Sequence, residues 1–306
     1  MRFHNSTADV YVPDGLDAAA ALVRTTHLAI SAHQDDLEIM AYHGIAECFG
    51  RKDKWFTGVV VTNGAGSPRS GIYADYTDEE MQKVRIIEQR KAAYVGEYAC
   101  QAQLGYSSAQ VKNPDDRAVI EDLEQVLRAA RPEIVYLHNL ADKHDTHVAV
   151  ALRSIAALRN VADHKPAKVY GCEVWRDLDW LPDRDKQVLP ASARPNIAAA
   201  LVGVFDSQVS GGKRYDLATA GRRLAHATYF ASHGTDEESA LSFAMDLTPL
   251  VEDPALSIFD GRSSHSDHCH TQLEGRSKTW GPSGGHRGRP AAPGRTGPPD
   301  QIAARR

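Results

Sequence analysis

Short apolar runs alternate with longer stretches of helical spacing along this chain, and that alternation constrains its fold more than any other feature. Leu28, Ala29 and Ile30 read as a short buried strand, and Leu37, Met40, Ala41, Ile45 and Phe49 follow at helical spacing. Trp55 to Thr62, with Val59, Val60 and Val61 adjacent, suits a strand buried on both faces. It ends in the loop Asn63 to Pro68, after which Thr77-Asp78-Glu79-Glu80 forms a capping-box pattern opening a helix that runs to about Tyr98. A weaker strand over Ala102 to Tyr106, a helix over Asp116 to Ala130 and a strand over Ile134 to Leu137 continue the series. The next helix carries Val148, Ala151, Leu152, Ile155 and Leu158. Repeated βα units of this kind predict the α/β class, with a largely parallel sheet flanked by helices.

Two polar clusters fall at strand-to-helix junctions. The first, Ala32-His33-Gln34-Asp35-Asp36-Leu37-Glu38, packs one imidazole and three carboxylates into six residues. Carboxylates at a helix start also serve as caps, and capping alone is the simpler reading of Asp35 and Asp36. The second, His144-Asp145-Thr146-His147, reads in isolation as two loop histidines at a helix start, with Asp145 as N-cap. Their joint occurrence at the carboxyl ends of strands, where open α/β sheets bind ligands, points elsewhere. His33, Asp36 and one histidine of the second cluster would supply the three ligands of a catalytic zinc whose fourth position is left to water.

The 306 residues carry a net charge of −5, which offers no electrostatic footprint for nucleic acid or an anionic membrane. No N-terminal apolar leader or bilayer-length apolar run is present, so a cytoplasmic protein is expected. Cys48, Cys100, Cys172 and Cys269 form no C-x-x-C pair, which argues against a disulfide framework or a thiolate zinc site. Self-association into a homo-oligomer is left open.

The first cluster resembles the A-H-P-D-D-x-E signature of the zinc-dependent de-N-acetylases of the PIG-L, or LmbE-like, family, and His144-Asp145-Thr146-His147 resembles that family's H-P-D-H. Softer matches are Val61-Thr62-Asn63-Gly64, Arg85 and Glu88 with Ala92, Ala93 and Gly96, and Asp206-Ser207-Gln208. The resemblance spans roughly residues 25 to 250 and implies a Rossmann-like sheet. It also implies zinc, or another divalent transition metal, on His33, Asp36 and His147, with Asp35 as general base. The chain departs from the pattern twice. Gln34 stands where the family has proline, which is expected to cost the turn some rigidity. Asp145 follows His144 instead of preceding His147, so Asp142 is the expected substitute partner for the other histidine.

The chemistry agrees with these assignments. Amide hydrolysis needs a water activated near neutral pH, a carboxylate to take its proton, and a donor for the oxyanion. Asp35 is the carboxylate and His144 the oxyanion donor. Arg85 is the candidate for binding a substrate hydroxyl or phosphate. The expected activity is zinc-dependent amidohydrolysis that removes an acetyl group from an N-acetylated amino sugar, or a small conjugate of one, by cleaving its linear amide. The alternatives are a non-catalytic metal- or sugar-binding protein of the same fold and a metal-dependent esterase or phosphatase.

Beyond the second cluster, Lys168 to Val174 reads as a fifth strand, and Asn196 to Phe205 and Leu217 to Ser232 as helices. Trp175 and Trp180 offer aromatic surface for a sugar ring, although core packing is the commoner role for either alone. Gly211-Gly212-Lys213 fails as a phosphate loop because Ser207 and Arg214 occupy essential positions. From Gly261 onward glycine, proline, arginine, serine and histidine dominate. A deacetylase-like domain over residues 1–260 and a disordered tail over 261–306 are therefore expected.

Overall fold

The computed structural model describes residues 1–256; the expected tail over residues 261–306 lies outside the described residues. Eight strands form one sheet in the order β1-β4-β3-β2-β5-β6-β8-β7. In chain order the elements begin with β1 (Asp9–Tyr11), α1 (Ala18–Val23), β2 (His27–Ser31), α2 (Asp36–Met40), α3 (Tyr42–Cys48), β3 (Phe56–Thr62), α4 (Asp78–Val95) and β4 (Cys100–Tyr106). There follow α5 (Ser108–Lys112), α6 (Ala118–Ala130), β5 (Ile134–His138), α7 (Asp145–Asn160), β6 (Lys168–Cys172), β7 (Gln187–Pro190) and α8 (Pro195–Gly203). The last are α9 (Asp206–Val209), α10 (Tyr215–Phe230), β8 (Leu241–Asp246) and α11 (Thr248–Glu252).

Five central strands, β4-β3-β2-β5-β6, run parallel, as the βα alternation requires, in a Rossmann-like winding. Alternate residues of the central strands feed two cores. Leu28, Ile30, Val59, Val61, Val135 and Leu137 pack with α6 and α7 on one face. Ala29, Val60 and Tyr136 pack with Leu37, Met40, Ile45 and Leu201 on the other. Burial on both faces explains why β2 and β3 read as unbroken apolar runs. The capping box at Thr77 is present: its hydroxyl accepts the Glu80 N–H, and the Glu80 carboxylate accepts the Thr77 N–H.

Several expectations are corrected. The single helix expected after the first cluster is two, α2 and α3, broken at Ala41. Three antiparallel strands were not foreseen. β1 pairs with β4 at one edge, while β8 lies against β6 and carries β7 at the other edge. Asp145 is the first residue of α7, not its cap; the cap position belongs to His144, which makes no side-chain capping bond.

Candidate metal centre and active site

Strand winding reverses between β2 and β5, and their carboxyl ends open the crevice in which the polar clusters meet. From the end of β2, the Ala32 carbonyl accepts bonds from the Thr62 N–H (2.9 Å) and hydroxyl (2.7 Å), tying the turn to β3. Asp35 then takes a left-handed backbone conformation, φ 95°, which a non-glycine residue adopts at a cost; Asp is among the residues that tolerate it best. The turn closes where Asp36, opening α2, accepts the His33 N–H on Oδ2 at 2.8 Å. Gln34, far from loosening this turn, is buried and donates to the Thr62 carbonyl and to Gln103 Oε1. A Cβ at Gly64, whose φ is +71°, would come within 2.4 Å of Gln34 Oε1, so only glycine lets the β3 loop pass this close.

Three donor atoms converge. His33 Nδ1 lies 3.2 Å from Asp36 Oδ2 and 3.1 Å from His147 Nε2, and the last two are 3.3 Å apart. A tetrahedral ion bound at 2.0–2.1 Å sets its ligand atoms about 3.3 Å apart, so this near-equilateral triangle has the right edge for one. The donor chemistry fits as well. Burial holds the His33 imidazole down at about 4, with the Arg85 charge acting in the same direction. His147 is held well below the usual histidine range by burial and by the neighbouring histidines. Asp35 and Asp36 are both pushed well above the carboxylate range by burial, Asp35 also by its neighbour's charge and Asp36 by that of Asp142. Neutral imidazoles keep a lone pair free for a metal, and a cation here would stabilise the ionised carboxylates that burial otherwise disfavours. Asp142 Oδ2 lies 3.4 Å from His147 Nδ1, turning Nε2 toward the triangle, as a carboxylate behind a ligating histidine does. Asp142 thus partners the ring of His147; it meets His144 only at the backbone N–H, at 2.9 Å.

Sequence reading missed His138, the last residue of β5, one position beyond the strand end expected at Leu137. It is fully buried, stacks on His147 with ring centres 3.9 Å apart, and approaches Asp36 Oδ2 at 3.5 Å. A second candidate trio, Asp36, His138 and His147, therefore exists. Its chemistry is weaker, because His138 Nε2 already accepts the Ala32 N–H at 2.8 Å, which occupies the lone pair a metal would need. The signal that could have revealed His138 is its place at a strand's carboxyl end beside the winding reversal.

A cavity of about 280 Å³ opens over the triangle, lined among others by His33, Asp35, Asp36, Arg85, His144 and Trp175. The Asp35 side chain accepts no hydrogen bond from the described residues and faces this space. His144 is half-buried and held toward the neutral form by burial, and its ring lies between those of His147 and Trp175. Arg85 is not on a solvated helix face. It is fully buried, donates to the Ser67 hydroxyl at 2.6 Å, and keeps two nitrogens without a partner among the described residues. The softer motif residues also meet: Glu88 accepts the Ser207 N–H at 2.8 Å, and the Gln208 side chain donates to the Gln34 carbonyl at 3.1 Å. Of the two tryptophans, Trp175 walls the cavity, whereas Trp180 packs against the core.

A family model described as GlcNAc-PI de-N-acetylase, PIG-L, matches residues 28–161. No curated protein matches the chain in sequence. Among solved structures, the chain is similar to the N,N'-diacetylchitobiose deacetylase from Pyrococcus horikoshii, with 13% identity and a TM-score of 0.59 over 77% of this chain and 88% of that one. It is similar to the pseudoaglycone deacetylase Dbv21, with 17% identity and a TM-score of 0.52 over 73% of this chain and 97% of that one. It is equally similar in fold to GalB, the 4-carboxy-2-hydroxymuconate hydratase from Pseudomonas putida, with 16% identity and a TM-score of 0.56 over 73% of this chain and 96% of that one. Likeness at this level establishes the architecture; chemistry has to be argued from the site.

Proposed function

Since the PIG-L family model matches residues 28–161, we propose that the chain is a zinc-dependent de-N-acetylase that removes acetyl from an N-acetylated amino sugar or a small conjugate of one. The observation that carries this reading is the unbonded Asp35 carboxylate in one cavity with the triangle of His33, Asp36 and His147. A divalent ion held by the three would supply the Lewis acidity that brings a water's pKa to roughly 7. Asp35, its affinity for protons raised by burial, takes the proton from the attacking water and passes it to the leaving amine. His144 is held neutral, so it serves the oxyanion as an N–H donor and not as an imidazolium. Arg85, which lines the cavity and has two nitrogens without a partner among the described residues, orients a substrate hydroxyl or anionic oxygen. No helix among the described residues is long and apolar enough to cross a membrane. Three buried free thiols, Cys48, Cys100 and Cys172, are consistent with a cytoplasmic, reducing location.

The direct test is acetate release from a panel of N-acetylglucosamine conjugates by the metal-loaded protein. Release that depends on Asp35 supports the reading. Metal uptake with no acetate from any conjugate would instead favour a metal- or sugar-binding protein on the same fold.

A further inference from the structure

The outward face of α10 has a composition that water alone does not explain. Leu217, Leu224 and Tyr229 are 61, 55 and 80% exposed on it. A surface helix ordinarily turns charged side chains to solvent on the side away from the core. The charged residues of α10 are engaged elsewhere: Asp216 pairs with Arg214, Arg222 donates to the Val174 carbonyl, and Arg223 is buried against α2. What stands outermost is Leu217, Gly221, Leu224 and Thr228, at the i, i+4, i+7, i+11 spacing of a helix–helix seam. Exposed Ala218, Ala220 and Ala225 flank it. Helix α8, which packs beside α10, carries no charged residue either, and it exposes Ala199, Ala200 and Gly203.

Gly221 is the most informative of these positions. Glycine in mid-helix is unfavourable relative to alanine, yet a Cβ added here would meet nothing within 4 Å in the chain itself. No contact within one chain requires the glycine, whereas a second helix crossing closely would.

We propose that this face is the contact of a twofold-symmetric homodimer in which two α10 helices pack antiparallel. The pattern is self-complementary, as an isologous interface requires. A twofold axis at the level between Arg222 and Arg223 sets Leu224 over the partner's Gly221 and Leu217 over the partner's Thr228, so each large side chain of the seam meets a small one. Charge agrees with the antiparallel sense. Lys213 and Arg214 precede α10, while Asp236, Glu237 and Glu238 lie in the loop after it and border the same cavity as Phe230 at its C-terminal end. None of these three carboxylates forms an ion pair among the described residues, and antiparallel packing brings them toward the partner's Lys213 and Arg214. A lipid surface fits the face less well, because the small residues along its centre offer little apolar area for insertion.

Sedimentation equilibrium of the full chain tests the proposal, and its readout is mass, not acetate, so it stands apart from the deacetylase reading. The 16 residues of α10 make a strip about 24 Å long, a small interface, so a monomer–dimer equilibrium in the micromolar range is expected. Gly221→Arg adds bulk and charge only where the partner would sit, and arginine is the better helix former. It should weaken association by at least about a hundredfold, with the Tm of the dilute protein unchanged or raised. Leu224→Lys, at a position already open to water, should weaken it by at least about tenfold. Reversing the loop with Asp236→Lys, Glu237→Lys and Glu238→Lys together should weaken it about tenfold at low salt and less at high salt. A wild type that stays monomeric at about 100 μM overturns the proposal and leaves the face to a different partner. So does a dimer that persists in both the Gly221→Arg and Leu224→Lys proteins, which would mean assembly through another surface. Undiminished association of the loop variant overturns the antiparallel arrangement.

Discussion

At the scale of single residues, the site separates groups that would hold an ion from one that would move a proton. Asp35→Asn preserves shape and should retain the metal, yet lose about a hundredfold to ten-thousandfold in turnover, the usual consequence of removing a general base. Metal analysis and acetate release on one preparation check this, and near-normal turnover would remove Asp35 from the mechanism. His147 and His138 stack on each other and both approach Asp36, so substitution distinguishes their roles. His147→Ala should abolish stoichiometric metal. His138→Gln should leave it bound, since His138 Nε2 is engaged by the Ala32 N–H. Metal loss from the His138 variant and retention in the His147 variant would exchange the two assignments. Asp142→Asn, which weakens the group behind His147, should lower metal affinity about tenfold to a hundredfold without abolishing binding, as read by competition with a chelator.

At the scale of elements, α2 carries Asp36 into the site but is only five residues long, so its placement depends on what grips it. Glu38, fully buried, accepts bonds from Tyr98 and Gln89. From the far side of the chain, Arg223 of α10 donates to the Glu38 and Ile39 carbonyls at 2.9 and 3.0 Å and lies over the ring of Tyr42. Arg223→Met would strand two buried carbonyls at roughly 1–3 kcal/mol each. A lowered Tm of the metal-free protein together with weaker metal binding is the expected result; unchanged values for both would show that α2 is held without Arg223. This grip also shows where the sequence stopped being legible. The run from Leu37 to Phe49 has continuous helical spacing, yet the helix breaks at Ala41, and the Glu38 and Ile39 carbonyls beside the break are satisfied by Arg223, 185 and 184 residues away in sequence. β2, β3 and β5 were legible because they are buried on both faces. β8, Leu-Ser-Phe-Ala-Met-Asp, has no β-branched residue, and β1, Asp-Val-Tyr, is too short for alternation to register, so neither gives a clear strand signal. The convergence of His33, Asp36 and His147 was readable from two junctions. The part played by His138 depends on how β5 lies against β2, which spacing along one chain does not encode.

At the scale of the whole molecule, burying histidine makes stability depend on acid. His27 begins β2 at the end of the strand away from the metal-site turn, is almost fully buried, and lies stacked near Tyr136 with its Nδ1 2.9 Å from the Thr26 hydroxyl. Burial, with a smaller contribution from Lys54, pushes its pKa down from 6.5 to about 4. The folded state therefore keeps His27 neutral in a range where the unfolded chain protonates it. Between about pH 6.5 and 4 the unfolded state binds the extra proton, so stability falls as pH falls; above 6.5 the neutral form prevails in both states and the dependence from this residue vanishes. A shift of this size corresponds to at most about 3 kcal/mol by the bottom of the window. His27→Gln keeps a polar side chain of similar length but does not titrate. Its Tm should be lower than that of wild type at pH 7.5 if the stacking near Tyr136 matters, yet it should decline less between pH 6.5 and 4.5. The comparison belongs on metal-free protein, so that protonation of the proposed ligands His33, Asp36 and His147 is common to both chains and cancels. Parallel Tm profiles across that window would mean that His27 is protonated within the fold, and that the acid sensitivity of this sheet lies with the histidines gathered at its other end.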